Sequence, residues 1–335
     1  MRKRPFGRAA DGRLVEQVVL ESDRAAVSIL SLGAIVRDWR IDGPDGSLPM
    51  VLGFPTVEDY VHHARSHGAI CGRVANRTRD ARFTLDGREY RLTPNEGPHQ
   101  LHGGPEGLGA RIWAMETDAA TGAVELRLAS PDGDQGWPGA VDFAVSYRLD
   151  GARLVCEMKG VPDRPTPINL ANHSYYNLGG GGTVKDHVLR VAASDYTPTR
   201  ADLIPIGEIA PVEGTPLDFR EPREIEDLEL DANLVLDADR DAGAPAARVE
   251  CPRTGVVLEL WTAEPGLQVF DAFAMTIAAK GHDGQEYGPF AGLCLEAQHF
   301  PDSLHHPDWP SIVRTPEEPY FQRLEVAIGR SADSA

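Results

Sequence analysis

Three stretches of the chain concentrate groups able to move protons or to hydrogen-bond a polar ligand. The segment Asn95–Gly104 holds His99 and His102 among glycine and proline, and His102 is followed by Gly103-Gly104, bare backbone that a ligand can approach closely. A loop histidine packed for structure is the plain alternative. The segment Thr166–Leu178 brings Asn169, Asn172, His173, Ser174, Tyr175, Tyr176 and Asn177 close together. Such a density of neutral donors and acceptors suits a polyhydroxylated, uncharged ligand, because buried polar contacts discriminate hydroxyls far better than apolar fit does. In Leu293–Asp302 a single carboxylate, Glu296, follows an apolar, strand-like run. Pointing outward it is merely solvated; pointing inward it must be paired or placed to react, since an unpaired buried charge is costly. Asn76-Arg77 adds a guanidinium able to fork onto vicinal hydroxyls or a carboxylate, or to serve as a surface salt bridge.

Other features fail the test of spacing. Gly179–Gly182 is followed by neither Gly-Lys-Ser/Thr nor a helical pattern, so it reads as a turn and not a phosphate cradle. His62-His63, His67 and His305-His306 lack metal-ligand spacing, and Asp132-Gly133-Asp134 lacks the next ligand of a calcium loop. No metal and no cofactor is expected. Cys71, Cys156, Cys251 and Cys294 form no C-x-x-C pair and read as isolated core thiols of a reducing compartment.

The elements that must position these groups are mostly strands. Phe83–Leu85, Asp86-Gly87 and Tyr90–Leu92 spell a hairpin, and Phe143–Leu149, Asp150-Gly151 and Leu154–Met158 a second one. Val15–Leu20, Val27–Leu32, Val124–Leu128, Val256–Trp261, Leu293–Ala297 and Leu324–Ile328 alternate or run apolar as strands do. Helical signals are confined to Val57–His63 and Pro222–Leu230, and the acidic run Glu221–Asp241 reads as a solvated surface connection. With 34 glycines and 26 prolines scattered through 335 residues and no linker, the expectation is an all-β fold. It is read as one large β-sandwich domain over residues 10–330. The net charge of −18 disfavours nucleic acid and anionic membrane surfaces as partners. No apolar stretch approaches the roughly 20 residues that span a bilayer, and no apolar run follows the basic first residues, so a cytoplasmic location is expected.

Taken together and in order, eight motifs resemble the aldose 1-epimerase (galactose mutarotase) family. They are Gly-Arg-Val-Ala-Asn-Arg at 72–77, Leu-His-Gly-Gly at 101–104, Ser-Pro-Asp-Gly-Asp-Gln-Gly-Trp-Pro-Gly at 130–139 and Thr-Pro-Ile-Asn-Leu-Ala-Asn-His-Ser-Tyr-Tyr-Asn-Leu at 166–178. The remainder are Leu-Ile-Pro-Ile-Gly-Glu at 203–208, Gly-Thr-Pro-Leu-Asp-Phe-Arg at 214–220, Pro-Gly-Leu-Gln at 265–268 and Leu-Cys-Leu-Glu-Ala-Gln-His-Phe-Pro-Asp at 293–302. The resemblance implies a large β-sandwich of the galactose mutarotase type with an open sugar cleft. It implies Glu296 as general base, His173 as general acid and His102 near the ring oxygen, with Asn76, Arg77, Asp231 and Gln268 contacting the sugar. Two stretches depart from the family pattern, Ala232 after Asp231 and Val269–Phe273 after Gln268, and both bear on sugar preference.

The implied chemistry opens and recloses a hemiacetal: a base takes the C1 hydroxyl proton, an acid protonates the ring oxygen, and no cofactor is needed. On this reading Asp231 is a neighbour that keeps His173 protonated. The expected partner is a free aldohexose such as galactose or glucose, and the chain acts as a monomer or homodimer. The rivals are a phosphosugar 1-epimerase, which would need cationic groups gathered for a phosphate, and a non-catalytic carbohydrate-binding domain, which would need no acid and base.

Overall fold

A computed structural model describes residues 2–43, 46–64 and 66–330. Three antiparallel sheets dominate it. Arg4–Arg8, Leu14–Glu21, Ala25–Leu30, Val36–Gly43 and Gly46–Pro49 form a five-stranded meander. A nine-stranded sheet runs Ala114–Asp118, Ala123–Ser130, Val141–Asp150, Arg153–Pro162, Tyr320–Arg330, Val256–Thr262, Ala247–Cys251, Val188–Val191 and Arg223–Glu224. A six-stranded sheet runs Tyr175–Tyr176, Leu293–Gln298, Gly266–Phe270, Asp231–Leu236, Ala193–Tyr196 and Ala210–Pro211.

The period of two along each strand decides where its side chains go. In Val141–Asp150 the residues Val141, Phe143, Val145 and Tyr147 are buried, and Leu154, Cys156 and Met158 of the facing strand join them. These pack in one core with Leu293, Leu295 and Ala297, with Leu267 and Val269, and with Leu234 and Leu236, the inner face of the six-stranded sheet. Each such side chain contributes roughly 1.5–3 kcal/mol by leaving water. The sandwich is therefore held by the odd-numbered residues of Leu293–Gln298, which frees the even-numbered ones, Cys294, Glu296 and Gln298, for the opposite face.

Both hairpins form. Asp86 and Gly87 take φ of 51° and 75°, as a two-residue turn matched to strand twist requires. In the second hairpin the pairing runs to Asp150 opposite Arg153, so Gly151-Ala152 is the loop, with Gly151 at φ 56°. The helix Val57–His63 also forms, capped by the Thr56 hydroxyl accepting from the Asp59 N–H at 3.2 Å.

The helix expected at Pro222–Leu230 does not form. Arg223–Glu224 pairs instead with the edge strand Val188–Val191, Ile225 and Glu226 donate to the carbonyls of His187 and Lys185, and Glu226 and Glu229 adopt φ of 59° and 56°. Sheet-edge hydrogen bonds outcompete a weak local propensity. The acidic run is likewise no mere solvated connection, because Asp231–Leu236 is an interior strand of the six-stranded sheet with Asn233 and Leu234 buried. No described helix is long and apolar enough to cross a membrane.

Candidate active site

Cross-strand register lays out the outer face of the six-stranded sheet in two rows. In one row Tyr175 stands opposite Cys294, Cys294 opposite Phe270, and Phe270 opposite Asp231. In the next, Glu296 stands opposite Gln268 and Gln268 opposite Asn233. Glu296 thus points away from the core and yet is only 2% exposed, because loops from the rest of the chain cover this face.

Two of those loops carry the histidines. His173 is clamped by its backbone, its N–H on the Ala69 carbonyl and its C=O on the Gly68 N–H, both at 2.9 Å. Its ring stacks on Tyr175 with centroids 5.0 Å apart, and Nε2 lies 3.6 Å from Glu296 Oε1. His102 follows the short pairing of Gln100–Leu101 with Arg77–Thr78, which sets it beside Asn76. The His102 N–H donates to the Asn76 carbonyl at 3.0 Å, and the Asn76 N–H donates to His102 Nδ1 at 3.1 Å. An accepting Nδ1 puts the ring proton on Nε2, so His102 is a neutral imidazole with a donor free for a ligand. The glycines after it are required sterically: at Gly103, φ 84°, a Cβ would lie 1.9 Å from the Gly72 carbonyl oxygen.

Arg77 forks onto Glu96, with Nε to Oε2 at 2.7 Å and an Nη to Oε1 at 3.0 Å, and its other Nη lies 3.7 Å from Asp231. Asp231 in turn accepts from the Gln268 amide at 2.5 Å. Asn76 accepts the Arg77 N–H on its Oδ1 at 2.8 Å, which leaves its NH2 group to donate. The seven residues singled out in the sequence are therefore brought together beside the outer face of the six-stranded sheet. Glu296 Oε2 and Gln268 Oε1, both buried, have no hydrogen-bond partner among the described residues. Acceptors left open side by side are what hydroxyl donors of a ligand would fill.

Burial controls the ionisation here. It lifts the Glu296 carboxyl to about 8, with the Asp231 charge adding and Arg77 opposing. It drives His173 down to about 4 and His102 well below the ordinary histidine value, the latter helped by His173 and Arg77. Asp231 is itself raised, by burial first. The expectation that Asp231 keeps His173 protonated is thus corrected: the Asp231 carboxylate is held by Gln268 and faces Arg77, and the acidic neighbour of His173 is Glu296.

Cys294 and Tyr175 stand in the sequence motifs, and Glu96 in the segment Asn95–Gly104, without a role. The signal for Glu96 was its being the one carboxylate in the polar segment around His102. Cys294 is one of four buried free cysteines, as expected, but it is no inert core thiol. Its Sγ lies 3.5 Å from His173 Nδ1. With His173 protonated on Nδ1, the thiol accepts that N–H without adding charge, which directs Nε2 to Glu296 and leaves the imidazolium strongly acidic. Cys294→Ala strands that N–H in a dry site and is expected to lower kcat about tenfold with little change in KM. Nitrogen NMR of His173 would report loss of the Nδ1-protonated tautomer; an unaltered tautomer and rate would remove the thiol from this role.

The ligating atoms of His102, His173 and Glu296 lie within 4.8 Å of one another, as do those of Asp186, His187 and Cys251. The first set would require His102 Nε2 to give up the proton that the Asn76 contact assigns to it. In the second, His187 already engages Asp186 through Nδ1 at 3.0 Å and the Leu178 N–H through Nε2 at 3.0 Å. Both arrangements serve hydrogen bonding better than ligation.

Comparison with known proteins identifies the family of the chain. The family model described as aldose 1-epimerase matches residues 16–327. The chain is 38% identical to mouse galactose mutarotase over 319 residues, 92% of each chain, and 34% identical to Escherichia coli aldose 1-epimerase over 318 residues, 90% of this chain and 91% of that one. Among solved structures, an aldose epimerase homologue from C. elegans superposes with a TM-score of 0.88 at 28% identity, covering 94% of this chain and 98% of the other. Galactose 1-epimerase from Lactobacillus acidophilus superposes with a TM-score of 0.84 at 26% identity, covering 98% of both chains. The all-β sandwich expected from the strand pattern is the fold of these neighbours. The chain belongs to the aldose 1-epimerase family.

Proposed function

We propose that this enzyme interconverts the α and β anomers of free aldohexoses such as galactose and glucose, with residues 10–330 acting as one domain. The single observation that supports the reaction is the spacing of Glu296 and His173. Hemiacetal opening moves protons at two oxygens borne on the same carbon, C1, so base and acid must stand side by side. At 3.6 Å they do.

The proton moves from the C1 hydroxyl to a Glu296 carboxylate oxygen while His173 Nε2 gives its proton to the ring oxygen. The C1–O bond to the ring breaks and an aldehyde forms. Rotation about C1–C2 presents the other carbonyl face, and the same two transfers run backwards on closure. His102 Nε2–H donates to an oxygen near C1. Asn76, Gln268, Asp231 and the Arg77–Glu96 pair hold the remaining hydroxyls. Each positioned acid or base contributes roughly 10²–10⁴-fold.

The free enzyme carries the right number of protons for this. Between about 4 and about 8 the pair holds one transferable proton, on Glu296 or on His173 Nε2. Those two forms differ by one transfer across a short gap, and the ionised one is the reactive one. A hydroxylated ligand that hydrogen-bonds Glu296 favours it.

A cytoplasmic monomer or homodimer fits four free thiols and a −18 charge. Polarimetry of freshly dissolved α-D-galactose and α-D-glucose tests the reading, with glucose 6-phosphate in parallel. Acceleration of the free sugars at least tenfold over that of the phosphate is expected, since Arg77 already faces Glu96 and Asp231. Preference for the phosphate would make the enzyme a phosphosugar epimerase. Binding without acceleration would make the chain a sugar-binding domain.

A further inference from the structure

The short strand Tyr175–Tyr176 pairs with the start of Leu293–Gln298, Tyr175 opposite Cys294 and Tyr176 opposite Leu293. Carried two residues further, the same antiparallel register sets His173 against Glu296, but the backbone ladder does not run on. Ala171–Asn172 pairs instead with Ile70–Cys71, and the His173 N–H and C=O go to Ala69 and Gly68. A gap is thus opened at the sheet edge, and the acid and base meet across it at 3.6 Å. Its far end is closed by a side chain. Asn169, 1% exposed, accepts the His299 N–H on Oδ1 at 3.0 Å and donates from Nδ2 to the His299 carbonyl at 3.3 Å. One planar carboxamide thereby reproduces the paired N–H and C=O that a strand partner would offer.

Asn169 is held at its own backbone, its N–H on the Arg73 carbonyl at 3.0 Å and its C=O on the Ala75 N–H at 2.7 Å. His299 is held at its own ring, Nδ1 lying 2.7 Å from Glu264 Oε2 and Nε2 3.4 Å from an Arg314 Nη. The carboxamide therefore joins two anchored points, one shortly before His173 in the chain and the other shortly after Glu296. We propose that Asn169 is a positioning residue that closes this gap and so sets the distance between Glu296 and His173, a role that rests on the acid and base reading above. Both ends of its amide are engaged by His299, so it acts through Glu296 and not on the sugar. A strand end released there shifts Glu296, and misplacing a reacting group by about 1 Å costs roughly 10²-fold. The bonds from Asn169 to Arg73 and Ala75 are backbone bonds that survive a change of side chain, so Asn76 and Arg77 keep their places.

Polarimetry with galactose, on protein shown folded by circular dichroism, tests this. Asn169→Ala is expected to lower kcat about 100-fold and to leave KM within about threefold of wild type, because the base moves while the sugar contacts stay. Asn169→Asp keeps the shape and the acceptor but loses the donor; it should lose about tenfold in kcat, and it carries the test should Asn169→Ala fold poorly. Nitrogen NMR of His173 gives a reading that lost stability alone would not move. In wild type its Nε2 shift should respond as Glu296 ionises at about 8, and in both variants that response should shrink. A folded variant with wild-type kcat, a loss carried by KM alone, or an unchanged His173 response overturns the positioning role. A folded wild-type protein inert on galactose and glucose overturns the epimerase reading, and the positioning role with it.

Discussion

Glu296→Gln is expected to slow catalysed mutarotation by about 10³-fold while leaving a folded protein that still binds sugar, because glutamine keeps the shape of the carboxylate and cannot take a proton. Polarimetry at low buffer concentration measures the rate, and isothermal titration with galactose measures the binding. Retention of more than a tenth of the wild-type rate would remove Glu296 from the base role. The magnitude rests on burial: a carboxylate with an unpartnered Oε2 has little solvent to relay the proton in its place.

The pH dependence sharpens the same prediction. One transferable proton resides on the Glu296–His173 pair between about 4 and about 8. The wild-type kcat/KM should therefore plateau across that window, falling below it as both groups become protonated and above it as both lose their protons. In Glu296→Gln the limb near 8 should disappear, and the residual rate should fall instead as His173 loses its proton above about 4. Stability moves oppositely for the two groups. Glu296, raised from 4.5 to about 8, binds more protons folded than unfolded in that range, so its contribution is lost as pH rises through about 8. His173, lowered from 6.5 to about 4, contributes stability that is lost as pH falls through about 4. Titration of unfolding free energy should show Glu296→Gln gaining on wild type at alkaline pH.

Much of this was legible before any coordinates. Strands with one clean apolar face, such as Val141–Asp150, announced themselves by alternation, and Glu296 was already marked as a carboxylate that must be paired or reactive if it pointed inward. The strands Asp231–Leu236 and Gly266–Phe270 were not legible. Both of their faces are covered, one by the core and the other by loops, so their alternate residues are Asn233, Gln268 and Asp231 instead of solvated side chains, and the pattern of a half-buried strand is lost. The misread helix at Pro222–Leu230 has the same origin, a segment shaped by the partners it meets at a sheet edge. Contacts such as Cys294 with His173 join residues 121 positions apart and leave no local trace.

Arg73→Met is expected to cost about 3–5 kcal/mol of stability, the range found when one partner of a buried charged network is removed. Arg73 is 2% exposed and sits two residues from Ala75, in the run that leads to Asn76 and Arg77. Its guanidinium donates to the carbonyls of Pro138 and Gly139 at 2.9 Å and to the Ser130 hydroxyl at 2.7 Å, and reaches the Ser130 and Pro131 carbonyls at 3.3 Å. These acceptors lie mostly in the loop after Ala123–Ser130, which Arg73 ties together from inside. Burial lowers Arg73 to about 10, so it stays cationic at neutral pH, opposed by the charges of Asp134 and Asp132. Methionine fills the space but takes from the Gly139 carbonyl its donor, while Pro138 keeps the Thr166 hydroxyl and Pro131 the Asp134 N–H, and Arg73→Lys supplies a single ammonium that cannot span the fork, so it should recover less than half the loss. Urea unfolding with an unchanged slope is the measurement, and a loss under 1 kcal/mol would refute the argument. The run also bears on the site: the Arg73 carbonyl accepts from the Asn169 N–H, and the Ala75 N–H donates back to the Asn169 carbonyl. Loosening Arg73 releases Asn76 and Arg77, so whatever Arg73→Met protein remains folded should show a raised KM for galactose before its kcat falls.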